Sequence, residues 1–420
     1  MLPETKETEA MRYKLSAPST IKATIQLPAS KSISNRALII NALGKGTFEP
    51  ENLSDCDDTQ VMIKALTEGQ EVIDIMAAGT AMRFLTAYLS VSSGEHTITG
   101  TERMQQRPIQ ILVNALRELG ADIEYVGKEG FPPLRIKGTE LKQHEITLKG
   151  SVSSQYISAL LMIAPVLKNG LTLHLTGEIV SRPYINLTLQ LMKDFGAEAA
   201  WITDDSIAVQ PKPYKSIPFT IESDWSAASY WYQIAALSHN AEIELSGLFK
   251  DSYQGDSRGA EVFAKLGIET EYTRQGVKLT RSCEMPARLE EDFVDIPDLA
   301  QTFVVTCALL NIPFRFTGLQ SLKIKETDRI AALITELRKL GYILREENDS
   351  VLMWHGERCE PEAIPVIQTY EDHRMAMAFA PAVLRNPFIQ IADPQVVSKS
   401  YPHYWKDLEK AGFGIQQEES

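Results

Sequence analysis

The sequence predicts an α/β protein of two domains, each built from three copies of a βαβαββ repeat. Three observations carry this prediction. A helical stretch that ends in glycine and leads into a strand-like run occurs six times, closing at Gly69, Gly120, Gly196, Gly267, Gly341 and Gly412. After the first interval these glycines stand 71 to 76 residues apart, which marks one supersecondary repeat copied along the chain. Each copy also holds an earlier helix start, preceded by a strand-like run. Glycine suits the left-handed position after a helix, and alternating runs such as Ala121-Asp122-Ile123-Glu124-Tyr125 suit half-exposed strands.

The earlier helix starts are, in order, Ser30-Lys31-Ser32, Ala78-Gly79-Thr80, Ser153-Ser154-Gln155, Ser223-Asp224-Trp225-Ser226, Ile296-Pro297-Asp298 and Glu371-Asp372-His373-Arg374. The first follows a strand-like run, Ile21 to Leu27, that stops at Pro28. Apolar positions Ile33, Ala37, Leu38, Ile40 and Ala42 then read as a helix up to Gly44. Six repeats divide into two sets of three that meet near residue 223, so the first set covers 30–223 and the second 224–420, with no Gly/Ser linker between them.

With 420 residues, 44% of them hydrophobic, the chain has ample material for two cores. No apolar run approaches the ~20 residues of a membrane span, and the polar, acidic first ten residues lack a targeting pattern. Cys56, Cys283, Cys307 and Cys359 are scattered, without a C-x-x-C pair or a histidine at ligand spacing, which argues against disulfides and a zinc site. A cytoplasmic protein is expected. The net charge of −13 argues against general nucleic-acid binding, so local clusters of Arg and Lys stand out.

Such clusters sit at the helix starts. The first turn of a helix carries about half a positive charge, so Lys31 and Arg36 there call for an anion. Arg83 follows the Ala78-Gly79-Thr80 turn, Arg107 opens a helix running to Leu119, and Arg182 precedes Pro183, a residue the first helical turn tolerates. Lys325 and Arg329 lie four apart, which puts them on one helical face with Glu326 beside them, and Arg374 and Lys399 complete a set of nine cations. Nine exceed the needs of one phosphate, and two polyanionic small-molecule ligands are expected. Walker, G-x-G-x-x-G and H-E-x-x-H signatures are absent, so no nucleotide, metal or other cofactor is expected. Among the histidines, His373 alone lies in a dense polar cluster. Met375, Met377, Tyr230, Trp231 and Tyr232 read as packing residues.

Nine segments, in order, resemble the 5-enolpyruvylshikimate-3-phosphate synthase family of enolpyruvyl transferases, from near residue 20 to the end. They are L-P-A-S-K-S-I-S-N-R-A-L (27–38), A-G-T-A-M-R (78–83), E-R-M-x-x-R-P-I (102–109), G-S-V-S-S-Q (150–155), V-S-R-P-Y-I (180–185), I-P-D (296–298), K-E-T-D-R (325–329), D-H-R-M-A-M (372–377) and S-K-S-Y-P (398–402). The resemblance implies an inside-out α/β barrel fold in which two domains close on shikimate 3-phosphate and phosphoenolpyruvate. It also implies that residues 1–29 return to the second domain. The implied reaction adds the shikimate 5-hydroxyl to the vinyl carbon of phosphoenolpyruvate and then expels phosphate, in the pathway to chorismate and the aromatic amino acids.

Carried over position by position, the resemblance gives Ser153, Ser154 and Ser181 to the shikimate phosphate. Ser32, Arg36, Asp298 and Lys325 fall to its hydroxyls and carboxylate, with Lys31, Gln155, Tyr184 and Ser321 in the same pocket. Lys31, Arg107, Gln155, Arg329, His373, Arg374 and Lys399 fall to phosphoenolpyruvate, with Gly79 close against it. Asp298 would take the hydroxyl proton, and Lys31 and Glu326 would move protons at the methyl carbon and leaving group. A carboxylate inside a cationic cluster is suited to both charge pairing and proton transfer.

Three positions depart from the family pattern: Ala77 replaces a common Asn, Phe84 a common Pro, and Ser321 a usual Asn. Altered affinities are expected, including weaker inhibition by glyphosate, the family's known inhibitor, if Phe84 pushes the Gly79-Thr80 turn toward the ligand. Three rival readings exist. A UDP-N-acetylglucosamine enolpyruvyl transferase would need a reactive Cys near 98–107, and this chain has none there. RNA 3′-phosphate cyclase, of similar repeat architecture, conflicts with the acidic balance. A catalytically dead anion binder would gain nothing from Asp298 and Glu326. A monomer is expected, because six repeats already form two closed cores.

Overall fold

The computed structural model describes residues 11–282 and 285–418, where five of the six repeats fold into the same four-stranded sheet. Strands β1 (Arg12–Ser16) and β2 (Ile21–Gln26) open the chain. Helices α1 (Lys31–Leu43) and α2 (Asp57–Thr67) follow, then β3 (Val72–Asp74), α3 (Gly79–Val91), β4 (Glu95–Thr99), α4 (Glu102–Gln105), α5 (Gln110–Leu119), β5 (Asp122–Tyr125) and β6 (Leu134–Lys137). Next come β7 (Glu145–Lys149), α6 (Ser154–Ile163), β8 (Leu171–Thr176), α7 (Arg182–Asp194), β9 (Ala199–Trp201), β10 (Ser206–Val209), α8 (Trp225–Leu237) and β11 (Ala241–Ser246). The run continues through α9 (Gly259–Lys265), β12 (Ile268–Tyr272), β13 (Gly276–Arg281), β14 (Leu289–Asp292), α10 (Ala300–Leu309), β15 (Phe314–Thr317), α11 (Arg329–Lys339), β16 (Arg345–Glu347) and β17 (Val351–Trp354). Last are β18 (Val366–Ile367), α12 (His373–Phe379), β19 (Gln390–Ala392), α13 (Tyr404–Lys410) and β20 (Gly414–Glu418).

Each sheet pairs two strands in parallel and adds a third antiparallel to the second and a fourth antiparallel to the third. A helix bridges β3 and β4, β7 and β8, β14 and β15, and β18 and β19, whereas the whole 28–224 stretch intervenes between β2 and β11. The orders are β3-β4-β6-β5, β7-β8-β10-β9, β2-β11-β13-β12, β14-β15-β17-β16 and β18-β19-β1-β20. In the last of these, only β20 follows α13, and β1 from the chain's start supplies the remaining strand, antiparallel to both β19 and β20. All six closing glycines lie in the left-handed region, with φ from +58° to +112°.

The first repeat departs from the expected pattern. It keeps α1 and α2, but its strands shrink to isolated bridges, Ala29 with Ser223 and Glu51 with Thr220. Gly44, Gly46 and Pro50 on one side and Pro211, Pro213 and Pro218 on the other interrupt any regular ladder. After Gly69 the chain passes directly to β3 of the next sheet, which is why the first glycine interval is short.

The chain divides into two lobes. The first comprises Pro28–Asp224 together with Asp251–Gly255, and the second comprises 11–27, Trp225–Lys250 and 256–418. The short 251–255 segment thus belongs to the first lobe, anchored there by Ser252 and Gln254 donating to Glu222 at 2.7 and 3.0 Å. Each lobe has its own apolar core. In the first, α1, α3 and α6 pack on one another; in the second, α10 packs on α8 and α12. α10 (AQTFVVTCAL) is apolar nearly all round, and every residue of it and of α12 (HRMAMAF) is buried. The sheets lie outside these helices, so the chemistry falls to the helix starts.

Candidate active site

In the first lobe, Ser30 caps α1 by accepting from the Ile33 N–H at 3.4 Å. The anion that Lys31 calls for is partly supplied by the protein. Lys31 Nζ lies 3.1 Å from Asp58 Oδ2 on α2, a nearly buried carboxylate, and the Lys31 N–H donates to Asp224 Oδ2 at 3.2 Å. Arg36, one turn further along, meets no carboxylate among the described residues. Its guanidinium is buried and donates to Thr188 Oγ1 (2.7 Å), Ser158 Oγ (3.2 Å) and the Ser32 carbonyl (2.9 Å). Burial pushes its pKa down to about 10, which leaves it charged at neutrality. Thr188 in turn donates to the Tyr184 carbonyl at 2.9 Å.

A second cluster forms where α3 and α6 begin. Gln155 Nε2 donates to Thr80 Oγ1 at 3.1 Å. A Cβ added to Gly79 would lie 2.6 Å from Arg83 Nη1 and 2.7 Å from Arg107 Nη1, so the missing side chain lets two guanidiniums sit against the backbone. Arg83 donates to the Gly79 carbonyl at 2.8 Å. Arg107 lies in the turn between α4 and α5 and does not open a helix, because Pro108 stops the chain from running straight into α5. Ser153 caps α6 by accepting from the Gln155 N–H, Ser154 is its first residue, and Ser181 holds a left-handed φ of +56° ahead of α7. These three hydroxyls stand at helix starts, and among the described residues none bonds directly to the cations.

Phe84 is fully buried in α3, and its ring lies 5.2 Å from the Arg36 guanidinium carbon. The departure at 84 therefore bears on Arg36, and the ring contact runs to that side chain. Ala77 is exposed ahead of α3.

In the second lobe, a 3₁₀ turn, Pro297–Leu299, precedes α10 and presents Asp298. Three cations converge on it: Lys325 Nζ at 3.2 Å, Arg329 Nη1 at 3.2 Å and Arg374 Nη2 at 2.9 Å. Burial alone would push the Asp298 carboxyl up, but the charges of Arg374, Lys325 and Arg329 outweigh it and hold it well below the ordinary range. Lys325 and Arg329 are not on one helical face. Lys325 ends a 3₁₀ turn, Gln320–Ile324, whereas Arg329 begins α11 behind an Asp328 cap, and Asp298 brings the two together.

Arg329, almost fully buried, is also gripped by Asp372 (2.7 Å) and Glu326 (2.8 Å). Burial works against its charge, yet Asp372, Glu326 and Asp298 raise its pKa overall. Lys399, at the end of a 3₁₀ turn and not at a helix start, lies 3.6 Å from Glu326 Oε1. Asp372 caps α12 by accepting from the Arg374 N–H at 2.9 Å, and His373 is buried as the first residue of α12. Arg374 also donates to the Tyr230 hydroxyl at 3.4 Å. The hydroxyl of Ser321 is buried without a hydrogen-bond partner among the described residues.

Sequence reasoning missed several of these neighbours. Asp58, Ser158 and Thr188 carried no signal, because a lone polar residue on an apolar helix face looks like any satisfied core group. Asp372 stood inside a quoted motif and had a readable N-cap position. Tyr230, expected to serve packing, does so with its ring but meets Arg374 with its hydroxyl.

Residues 15–69 and 65–408 match the family model of EPSP synthase (3-phosphoshikimate 1-carboxyvinyltransferase). A 3-phosphoshikimate 1-carboxyvinyltransferase of Bacteroides fragilis is 78% identical over 406 residues, covering 97% of this chain and 99% of that protein. One from Vibrio cholerae is 37% identical over 413 residues, covering 92% and 96%. Among solved structures, EPSP synthase from Acinetobacter baumannii aligns with a TM-score of 0.76 at 20% identity, covering 97% of this chain and all of that one. The enolpyruvyl transferase NikO from Streptomyces tendae aligns at 0.72 and 14% identity, covering 98% and 99%. These two share the fold. A family match across nearly the whole chain, with curated relatives matched end to end, makes this chain a member of the EPSP synthase family.

Proposed function

We infer that this chain is an enzyme that transfers the enolpyruvyl group of phosphoenolpyruvate to the 5-hydroxyl of shikimate 3-phosphate, releasing phosphate by addition and elimination. The observation that carries the chemistry is Asp298, a carboxylate ringed by Lys325, Arg329 and Arg374. In the free protein those cations make Asp298 a weak base. When the phosphate and carboxylate of phosphoenolpyruvate draw on Arg329 and Arg374, their hold on Asp298 weakens and its basicity rises. Substrate binding thereby readies Asp298 to take the proton of the 5-hydroxyl. Lys31 and Glu326 move the proton onto the methylene carbon and off the resulting methyl group, and cations at the leaving phosphate stabilise its charge.

In this reading Ser153, Ser154 and Ser181 hold the shikimate phosphate, and Lys31, Ser32, Arg36, Gln155, Tyr184, Ser321 and Lys325 hold the rest of that substrate. Lys31, Gly79, Arg107, Gln155, Arg329, His373, Arg374 and Lys399 hold phosphoenolpyruvate. The 30–223 set of repeats and the 1–29 with 224–420 set act as the two domains. The enzyme works as a monomer in the cytoplasm, a compartment suited to the free thiols Cys56, Cys307 and Cys359. Cys283 lies outside the described residues.

A coupled phosphate-release assay tests the reaction. Phosphoenolpyruvate with shikimate 3-phosphate should release one phosphate per enolpyruvyl product, and UDP-N-acetylglucosamine should release none. Phosphate release with the nucleotide sugar alone would reverse the assignment. Phe84 supplies a further test through Arg36. A buried cation–π contact is worth up to roughly 2 kcal/mol, so Phe84→Leu should raise the KM for shikimate 3-phosphate by about 3- to 30-fold and leave that for phosphoenolpyruvate within twofold. Steady-state kinetics in both substrates would check it.

A further inference from the structure

Two consecutive residues just ahead of α12, Tyr370 and Glu371, lie in the left-handed region with φ of +54° and +55°. Neither is glycine, and such a pair persists only where its surroundings over-determine it. The surroundings here are α11. Tyr370 donates its hydroxyl proton to Glu336 Oε1 at 2.6 Å, and the Gln368 N–H donates to Glu336 Oε2 at 3.0 Å. Glu336 is itself fully buried and accepts from Lys339 Nζ at 2.7 Å, while Lys339 also donates to the Val366 carbonyl at 2.8 Å.

The same helix grips the far side of the turn. Arg329, first residue of α11, holds Asp372, and the Asp372 N–H closes the turn onto the Thr369 carbonyl at 2.8 Å. One rigid helix therefore clamps residues 366–372 at two levels, two turns apart. From the clamped turn Asp372 caps the Arg374 N–H, and Arg374 reaches Asp298.

We propose that Tyr370 and Glu336 are positioning residues that hold a strained turn so that Asp372 and Arg374 are aimed at the anion site. This rests on the reading that Arg374 and Arg329 bind phosphoenolpyruvate. The ring of Tyr370 is partly exposed, so loss of its hydroxyl leaves the core intact. Glycine at 371 would allow the same backbone without holding it.

The test uses the full-length chain and its Tyr370→Phe and Glu371→Gly variants, with KM for each substrate, kcat and thermal midpoint measured together. Misplacing a binding group by a fraction of an ångström has large effects, so Tyr370→Phe should raise the KM for phosphoenolpyruvate by about 5- to 20-fold. The KM for shikimate 3-phosphate should stay within about threefold. Glu371→Gly should move phosphoenolpyruvate in the same direction, and Glu336→Gln, which keeps the acceptor for Tyr370, should lose less than Glu336→Ala. A lowered thermal midpoint with unchanged KM in Tyr370→Phe would mean a merely structural role and overturn the proposal, as would equal losses for both substrates. Should the wild type release no phosphate with shikimate 3-phosphate, the functional reading fails by itself. Calorimetric titration of phosphoenolpyruvate into wild type and Tyr370→Phe then decides the positioning role, which equal affinities would refute.

Discussion

Asp298→Ala should lower kcat by about 10²- to 10⁴-fold while affinity for shikimate 3-phosphate stays within about tenfold. The proton acceptor is lost, but the hydroxyls and cations that hold the ligand remain. Stability should fall by roughly 1–3 kcal/mol, because Arg329 keeps Asp372 and Glu326 as partners when one charge of the cluster disappears. The pH dependence has a definite sign. The folded carboxyl titrates below its ordinary value of about 3.9, so its contribution is complete above that pH and is lost as the pH falls through the folded value. The gap in thermal midpoint between wild type and variant should thus be constant from neutrality to about pH 5 and close in stronger acid. A variant that loses affinity and keeps kcat would make Asp298 a binding group and not a base.

Lys31→Met should lower turnover by about 10²- to 10³-fold, the usual effect of removing one desolvated charge aimed at developing charge. It also leaves Asp58 nearly buried and without its cation, so some loss of stability is expected alongside. Adding Asp58→Asn separates the two effects: the double variant should regain thermal stability and remain inactive. Circular dichroism with a progress curve reads both quantities, and near-wild-type turnover in Lys31→Met would remove this residue from the mechanism.

The fold class was legible because its signal is redundant. Six glycines after helices must each take a conformation other residues resist, and all six do. What escaped was pairing between distant segments. That β1 completes a sheet with β19 and β20 depends on the absence of a local partner, which no window of sequence displays. The loss of regular strands in the first repeat escaped as well, since the sequence reads it as a full copy with only a shorter glycine interval. At the site, the motif residues gather in clusters, but the contacts that set their electrostatics could not be read. Lys325 and Arg329 meet through Asp298 from three separate segments, and the Phe84 contact with Arg36 joins two helices. Helical spacing describes one element and is silent about what a neighbouring element brings to it.

The pairing of β1 also sets a timetable for biosynthesis. Residues 28–224 can close their core once that stretch has left the ribosome, apart from the short 251–255 segment. Arg12 is made some 380 residues ahead of Ala392, and further still ahead of Glu418, yet these are its strand neighbours. At roughly 5–20 residues per second, β1 waits on the order of 20–80 s with its hydrogen-bonding edges unmatched. A nascent chain stalled before β19 would hold a finished first lobe and an open second one, the form in which a holdase chaperone would find this protein.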